Sequence, residues 1–80
     1  MQSSAEATRL KALREEQFMS QADLATASGV GRATIARIET GRQTPHGRTV
    51  RKLAGALGVT PKTLVPNPAA VAFKRRPRGG

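Results

Sequence analysis

The chain is poor in side chains that make and break bonds. It has one histidine, His46, no cysteine and five acids: Glu6, Glu15, Glu16, Asp23 and Glu39. No nucleophile is paired with a base and no two carboxylates form a catalytic dyad, so an enzyme is not expected. A lone histidine without a second ligand is no metal set, and no metal or cofactor is expected either. Arginine, by contrast, is plentiful, making up ten of the fourteen cationic residues. A guanidinium is planar, permanently charged and forked, which suits phosphate and the edge of guanine. The chemistry on offer is recognition of anions and polar edges.

The charges are unevenly placed. All five acids lie in residues 1–40, balanced there by Arg9, Lys11, Arg14, Arg32 and Arg37. Residues 41–80 carry Arg42, Arg48, Arg51, Lys52, Lys62, Lys74, Arg75, Arg76 and Arg78 and no acid, so the whole net charge of +9 sits there. Such an excess points to a polyanion, with nucleic acid foremost. A solvated basic surface, or one that meets a membrane or an acidic protein, is the alternative. The longest apolar run, Ala69 to Phe73, is far too short to span a bilayer. The N-terminus has no apolar signal core. A soluble cytoplasmic protein without membrane attachment is the expectation.

Eighty residues allow one domain with a modest core. Residues 1–4 are polar and expected to be disordered. A first helix is expected from about Ala5 to Glu16, with Leu10 and Leu13 on one side. Ser20 is an N-cap candidate, Asp23 can reach back to it, and Met19 and Leu24 occupy the staple positions. The second helix then runs from Gln21 to Ser28 and stops at Gly29. A third begins near Gly31, with Ile35 and Ile38 inward, and ends at Gly41. In the fourth, Val50, Leu53, Ala54 and Leu57 recur at helical spacing, and Gly58 closes it. Thr60-Pro61 opens a short fifth helix to about Val65. Residues 67–80 are expected to be a disordered basic arm carrying Lys74, Arg75, Arg76 and Arg78. The arm either touches a polyanion or is merely solvated. Residues 5–66 thus form an all-α, five-helix domain.

The stretch SQADLATASGVGRATIARIETG, Ser20 to Gly41, holds two short helices joined at a single glycine. Ala25 is small where the helices must approach. Leu24, Val30, Ile35 and Ile38 seal their inner faces. These are the parts of a helix-turn-helix, in which one helix braces and the other projects its N-terminal end. The pieces LKALREE, SQADLA, GV, TIARIETG, TP, KLAGALGV and TPKTL stand in order from Leu10 to Val65. In this order and spacing the chain resembles the phage lambda repressor and Cro family, also called the xenobiotic-response-element family.

The resemblance implies a lambda-repressor-like fold and a sequence-specific regulator of transcription, most often a repressor. The implied partner is double-stranded DNA, bound by a homodimer on a palindromic site. It implies base-edge positions at Arg32, Ala33 and Arg37. Phosphate positions are implied at Gln21, Thr34, Arg42, Gln43 and Thr44, with Gln21 also bracing the first side chain of the third helix. It further implies that Arg14 and Glu39 join the first helix to the end of the third. Plainer readings stand beside these. Arg32 and Arg37 can touch phosphate instead of bases, Ala33 can simply be small, and Gln21 can simply favour helix. His46 reads as a cap of the fourth helix or a phosphate neighbour. Two residues depart from the family pattern: Gly31 stands where a capping Ser or Thr is usual, and His46 where Ser is common. The same fold also serves protein-interaction modules, such as antitoxins and bridging coactivators, so a protein partner is the second expectation. No small-molecule ligand is expected, because the chain is too short for a sizeable pocket.

Overall fold

The computed structural model describes residues 8–67 and residue 71. Among the described residues five helices follow one another: α1 Leu10–Glu16, α2 Gln21–Ser28, α3 Arg32–Glu39, α4 Gly47–Leu57 and α5 Pro61–Leu64. No β-strand occurs among the described residues. The expected arm residues Lys74, Arg75, Arg76 and Arg78, and the expected disordered residues 1–4, lie outside the described residues.

Each helix contributes to one core. Leu10 and Leu13 come from α1, Leu24 from α2, and Ile35 and Ile38 from α3. The α4 stripe of Val50, Leu53, Ala54 and Leu57 meets them, and Leu64 and Val65 close the cluster. Each fully buried Leu or Ile contributes about 1.5–3 kcal/mol relative to exposure. The helix α2 packs on both α3 and α4, α5 on α4, and α1 on α3. Ala25 is half-buried against the core, as the close approach of α2 to its neighbours requires.

The helix ends follow from local chemistry. Ser20 Oγ accepts from the backbone N–H of Asp23 at 2.9 Å, and Asp23 Oδ2 accepts from the N–H of Ser20 at 2.9 Å. The capping box is complete. Gly29 ends α2 at φ 78°, and its N–H donates to the Ala25 carbonyl at 2.9 Å. A side chain there would be strained by that backbone, although there is space around it. Thr60 accepts at the start of α5, where Pro61 takes the first helical position.

Two boundaries differ from the sequence expectation, the start of α1 and the end of α5. Thr8 and Arg9 are not helical, and α1 starts at Leu10. The cause is tertiary: the Arg9 N–H donates to the Leu64 carbonyl at 2.8 Å, so the chain is drawn toward α5 before it coils. The end of α1 at Glu16 is as expected, and two residues beyond it Phe18 has φ 56° and a side chain 95% exposed. Phe18 N–H donates to the Glu15 carbonyl at 3.0 Å, and Met19 N–H to the Arg14 carbonyl at 3.1 Å. That is a Schellman motif in which phenylalanine holds the left-handed position usually given to glycine. A smaller difference is that α5 ends at Leu64 and leaves Val65 outside.

Candidate nucleic-acid interface

The helix α3 has two unlike faces. Ile35 and Ile38 are buried, while Arg32, Ala33 and Arg37 are exposed. Arg32 and Ala33 are its first two residues, so they project from the end nearest the turn. Arg37 lies about 7.5 Å further along the axis at 1.5 Å per residue. Thr34 is half-buried between the two faces. Gly31 occupies the N-cap, where no side-chain hydrogen bond is made.

The far end of α3 is closed firmly. Gly41 adopts φ 77°, its N–H donates to the Ile38 carbonyl at 3.1 Å, and the Arg42 N–H donates to the Arg37 carbonyl at 2.8 Å. Thr40 Oγ1 donates to the Ala36 carbonyl at 3.0 Å. This turn fixes the backbone of Arg42 directly beyond α3. The Arg42 and Thr44 side chains are exposed, Gln43 is half-buried, and Pro45 is buried beneath the loop. His46 stands at the N-cap of α4, the position expected of it, exposed and without a side-chain capping hydrogen bond. The exposed Arg48 and Arg51 follow in α4.

Behind this surface lies a polar brace. Arg14 Nε donates to Glu39 Oε2 at 2.7 Å, and Arg14 Nη2 to Glu39 Oε1 at 3.0 Å. The pair is forked and nearly dry, with side-chain exposures of 10% and 3%. Arg14 Nη1 donates to the Met19 carbonyl at 2.7 Å, which ties the pair to the residue before α2. The hydrogen bond to Glu39, opposed by burial, raises the Arg14 pKa further, and the guanidinium stays charged at any working pH. Gln21 Nε2 donates to Glu39 Oε1 at 3.1 Å. The Gln21 amide therefore braces the end of α3 in the free protein, not Arg32 as the resemblance implied. Glu39 thus gathers α1, α2 and α3 at one carboxylate.

Sequence reasoning did not find Gln17, whose Nε2 donates to the Leu57 carbonyl at 2.7 Å and pins the end of α1 to the end of α4. Nothing local distinguishes that glutamine from a solvated one, since its partner is forty residues away. Among the described residues no cluster of His, Cys, Asp or Glu could hold a metal ion. None of the described helices is long and apolar enough to cross a membrane.

Two short helices joined at a left-handed glycine, with a polar outer face on the second, define a helix-turn-helix protein. A family model described as Helix-turn-helix matches residues 10–64, and the chain belongs to that family. It is 48% identical over 52 residues to the HTH-type transcriptional repressor RghR of Bacillus subtilis, covering 64% of this chain and 38% of that protein. The curated relatives it matches are longer, and the chain spans 21% of a Mycobacterium tuberculosis HTH-type regulator at 43% identity over 54 residues. Among solved structures it is similar to the restriction-modification controller protein C.AhdI from Aeromonas hydrophila. There the TM-score is 0.67 and identity 34%, covering 69% of this chain and 83% of that one. It is also similar to the P22 c2 repressor, solved in complex with a synthetic operator. That match has a TM-score of 0.69 and 29% identity, covering 81% of this chain and 96% of that one.

Proposed function

We propose that this chain is a sequence-specific transcriptional regulator of the repressor kind, which places α3 in the major groove of double-stranded DNA. The observation that carries the reading is the exposed Arg32–Ala33 start of α3, a helix whose far end is held by the nearly dry Arg14–Glu39 brace. Arg32, Ala33 and Arg37 then face base edges, and an arginine fork fits O6 and N7 of guanine. Gln21, Thr34, Arg42, Gln43, Thr44 and His46 lie against phosphates on either side. The excess of cationic residues beyond residue 40 supplies the long-range attraction. The likeness to a repressor solved on its operator supports the same docking. Two copies occupy the halves of a palindromic site in the cytoplasm, in the manner of the lambda repressor and Cro proteins.

An interaction module would show an apolar outer face on α3, and the exposed residues there are chiefly arginine. Selection of bound duplexes from random DNA at moderate salt tests the proposal. A palindromic consensus with a fixed G·C pair in each half is the expected result. Binding without any sequence preference would overturn it.

A further inference from the structure

Among the described residues, Phe18 is the large apolar side chain left in solvent, 95% exposed just beyond α1. Its backbone stands at φ 56°, a conformation that bulky residues rarely keep and that clusters at functional surfaces. Glu15 and Glu16 are exposed immediately before it. In a chain of net charge +9, these two acids and the ring make an acidic, apolar knob.

The other end of the domain offers the converse. A groove of about 340 Å³ runs between the first half of α4 and α5. Val50, Pro61 and Val65 give it an apolar lining, Val71 forms one wall, and the exposed Arg51 and Lys62 border it. An apolar cavity of about 150 Å³ holds a benzene ring, so the groove has room for a phenylalanine side chain.

We propose that Phe18 of one copy seats in this groove on a second copy, with Glu15 and Glu16 facing Arg51 and Lys62. Each surface supplies what the other lacks, a ring to be enclosed and acids to meet cations. Within one copy the two stand apart. The Gln17 amide fastens the residue before Phe18 to the Leu57 carbonyl at the last turn of α4. The groove lies at the first turns, and the ten steps from Gly47 to Leu57 span about 15 Å. The contact is therefore head-to-tail, and every added copy presents a further knob and a further groove. It is a different contact from the twofold pairing of the proposed function and does not rest on that reading. One ring and a few charges form a small interface, and the net charge of each chain opposes approach. Free copies should thus associate weakly, with a Kd on the order of millimolar. Ionic strength near about 0.15 M shortens the general repulsion to about 8 Å and spares charges in direct contact.

The test is methyl NMR on the 80-residue protein without DNA, at up to about millimolar concentration in that salt. Labelled and unlabelled copies are mixed. Nuclear Overhauser contacts from the Phe18 ring of one copy to the Val50 and Val65 methyls of the other are expected, with methyl shifts that grow with concentration. Phe18→Gly should abolish both. Its Tm should be at or above that of wild type, because glycine accepts the left-handed backbone, so the loss is not one of folding. Glu16→Lys and Lys62→Glu should each weaken association by roughly three- to tenfold. An equal mixture of the two variants should restore it, since every contact between unlike copies again pairs opposite charges. Shifts that do not change with concentration overturn the proposal. So does sensitivity to Lys62→Glu without sensitivity to Glu16→Lys, because the groove then meets another groove. Neither failure touches the DNA-binding reading, since no DNA is present.

Discussion

The two helices of the turn begin in opposite ways. Ser20 and Asp23 cap α2 reciprocally, and the carbonyl of Met19 just before it holds the Arg14 guanidinium. The start of α3 has only Gly31, without a side-chain cap. Instead α3 is secured from its other end, by Ile38 in the core, Glu39 in the brace and the turn at Gly41. Its first-turn amides and the side chains of Arg32 and Ala33 are left to water or to whatever the helix meets. Rigidity is concentrated in the part that braces, and the unspent hydrogen-bonding capacity in the part that projects.

The largest test breaks the brace. Glu39→Ala strands the Arg14 charge in a nearly dry site, and removing one partner of a buried pair costs about 3–5 kcal/mol. Urea denaturation should show that loss, and a double Arg14→Met, Glu39→Leu variant should recover much of it. Equal stability of Glu39→Ala and wild type would mean that the brace holds nothing.

Next comes the projecting end. Arg32→Ala should leave stability within about 0.5 kcal/mol of wild type, because the residue is exposed. Under the DNA reading it should remove about 1–3 kcal/mol of discrimination at one base pair and leave other positions unchanged. A uniform loss on all duplexes would assign Arg32 to a phosphate.

The cap of α2 should matter less than the brace. Ser20→Ala should cost about 1 kcal/mol, read from the same denaturation curves. The Ser20 backbone N–H, and secondarily its hydroxyl, hold the Asp23 carboxyl below the usual carboxylate range. Its contribution is therefore complete above the unfolded value of about 3.9 and is lost as pH falls through the lower folded value. Asp23→Asn should flatten that part of the acid limb of the stability curve.

The smallest effect equalises the two starts. Gly31 has φ −59° and ψ 142°, and an added Cβ would meet only Thr34 Oγ1 at 3.8 Å, an ordinary contact. Gly31→Ser should thus supply the missing cap and raise stability by about a few tenths of a kcal/mol. A thermal melt that falls instead would show that this start is strained in some other way.

The same contrast explains what the sequence reveals. The capping box, the stop at Gly29, the α4 stripe and the proline start of α5 depend on residues within a turn or two of one another, so composition and spacing suffice. The Arg14–Glu39 pair spans 25 positions, and it was legible only through the resemblance. The partners of Gln21 and Gln17 were not legible, because long polar side chains reach carboxylates and carbonyls set by tertiary packing. Nor does any local rule place phenylalanine at φ 56°. Phe18 accepts that backbone because Met19 beyond it must turn inward toward the core. On the candidate surface, spacing identified which face of α3 is outward. It did not foresee that Gln21 would turn from Arg32 to Glu39.

The hydrogen bond from Arg9 to Leu64 also governs how the domain can be tethered. It brings the approach to the first helix and the exit from the last within one bond of each other. Arg9, just ahead of α1, and Leu64, the last residue of α5, therefore stand side by side at one edge. Such a unit can be spliced into a surface loop of a host protein whose two ends stand no farther apart than neighbouring strands, without stretching host or guest.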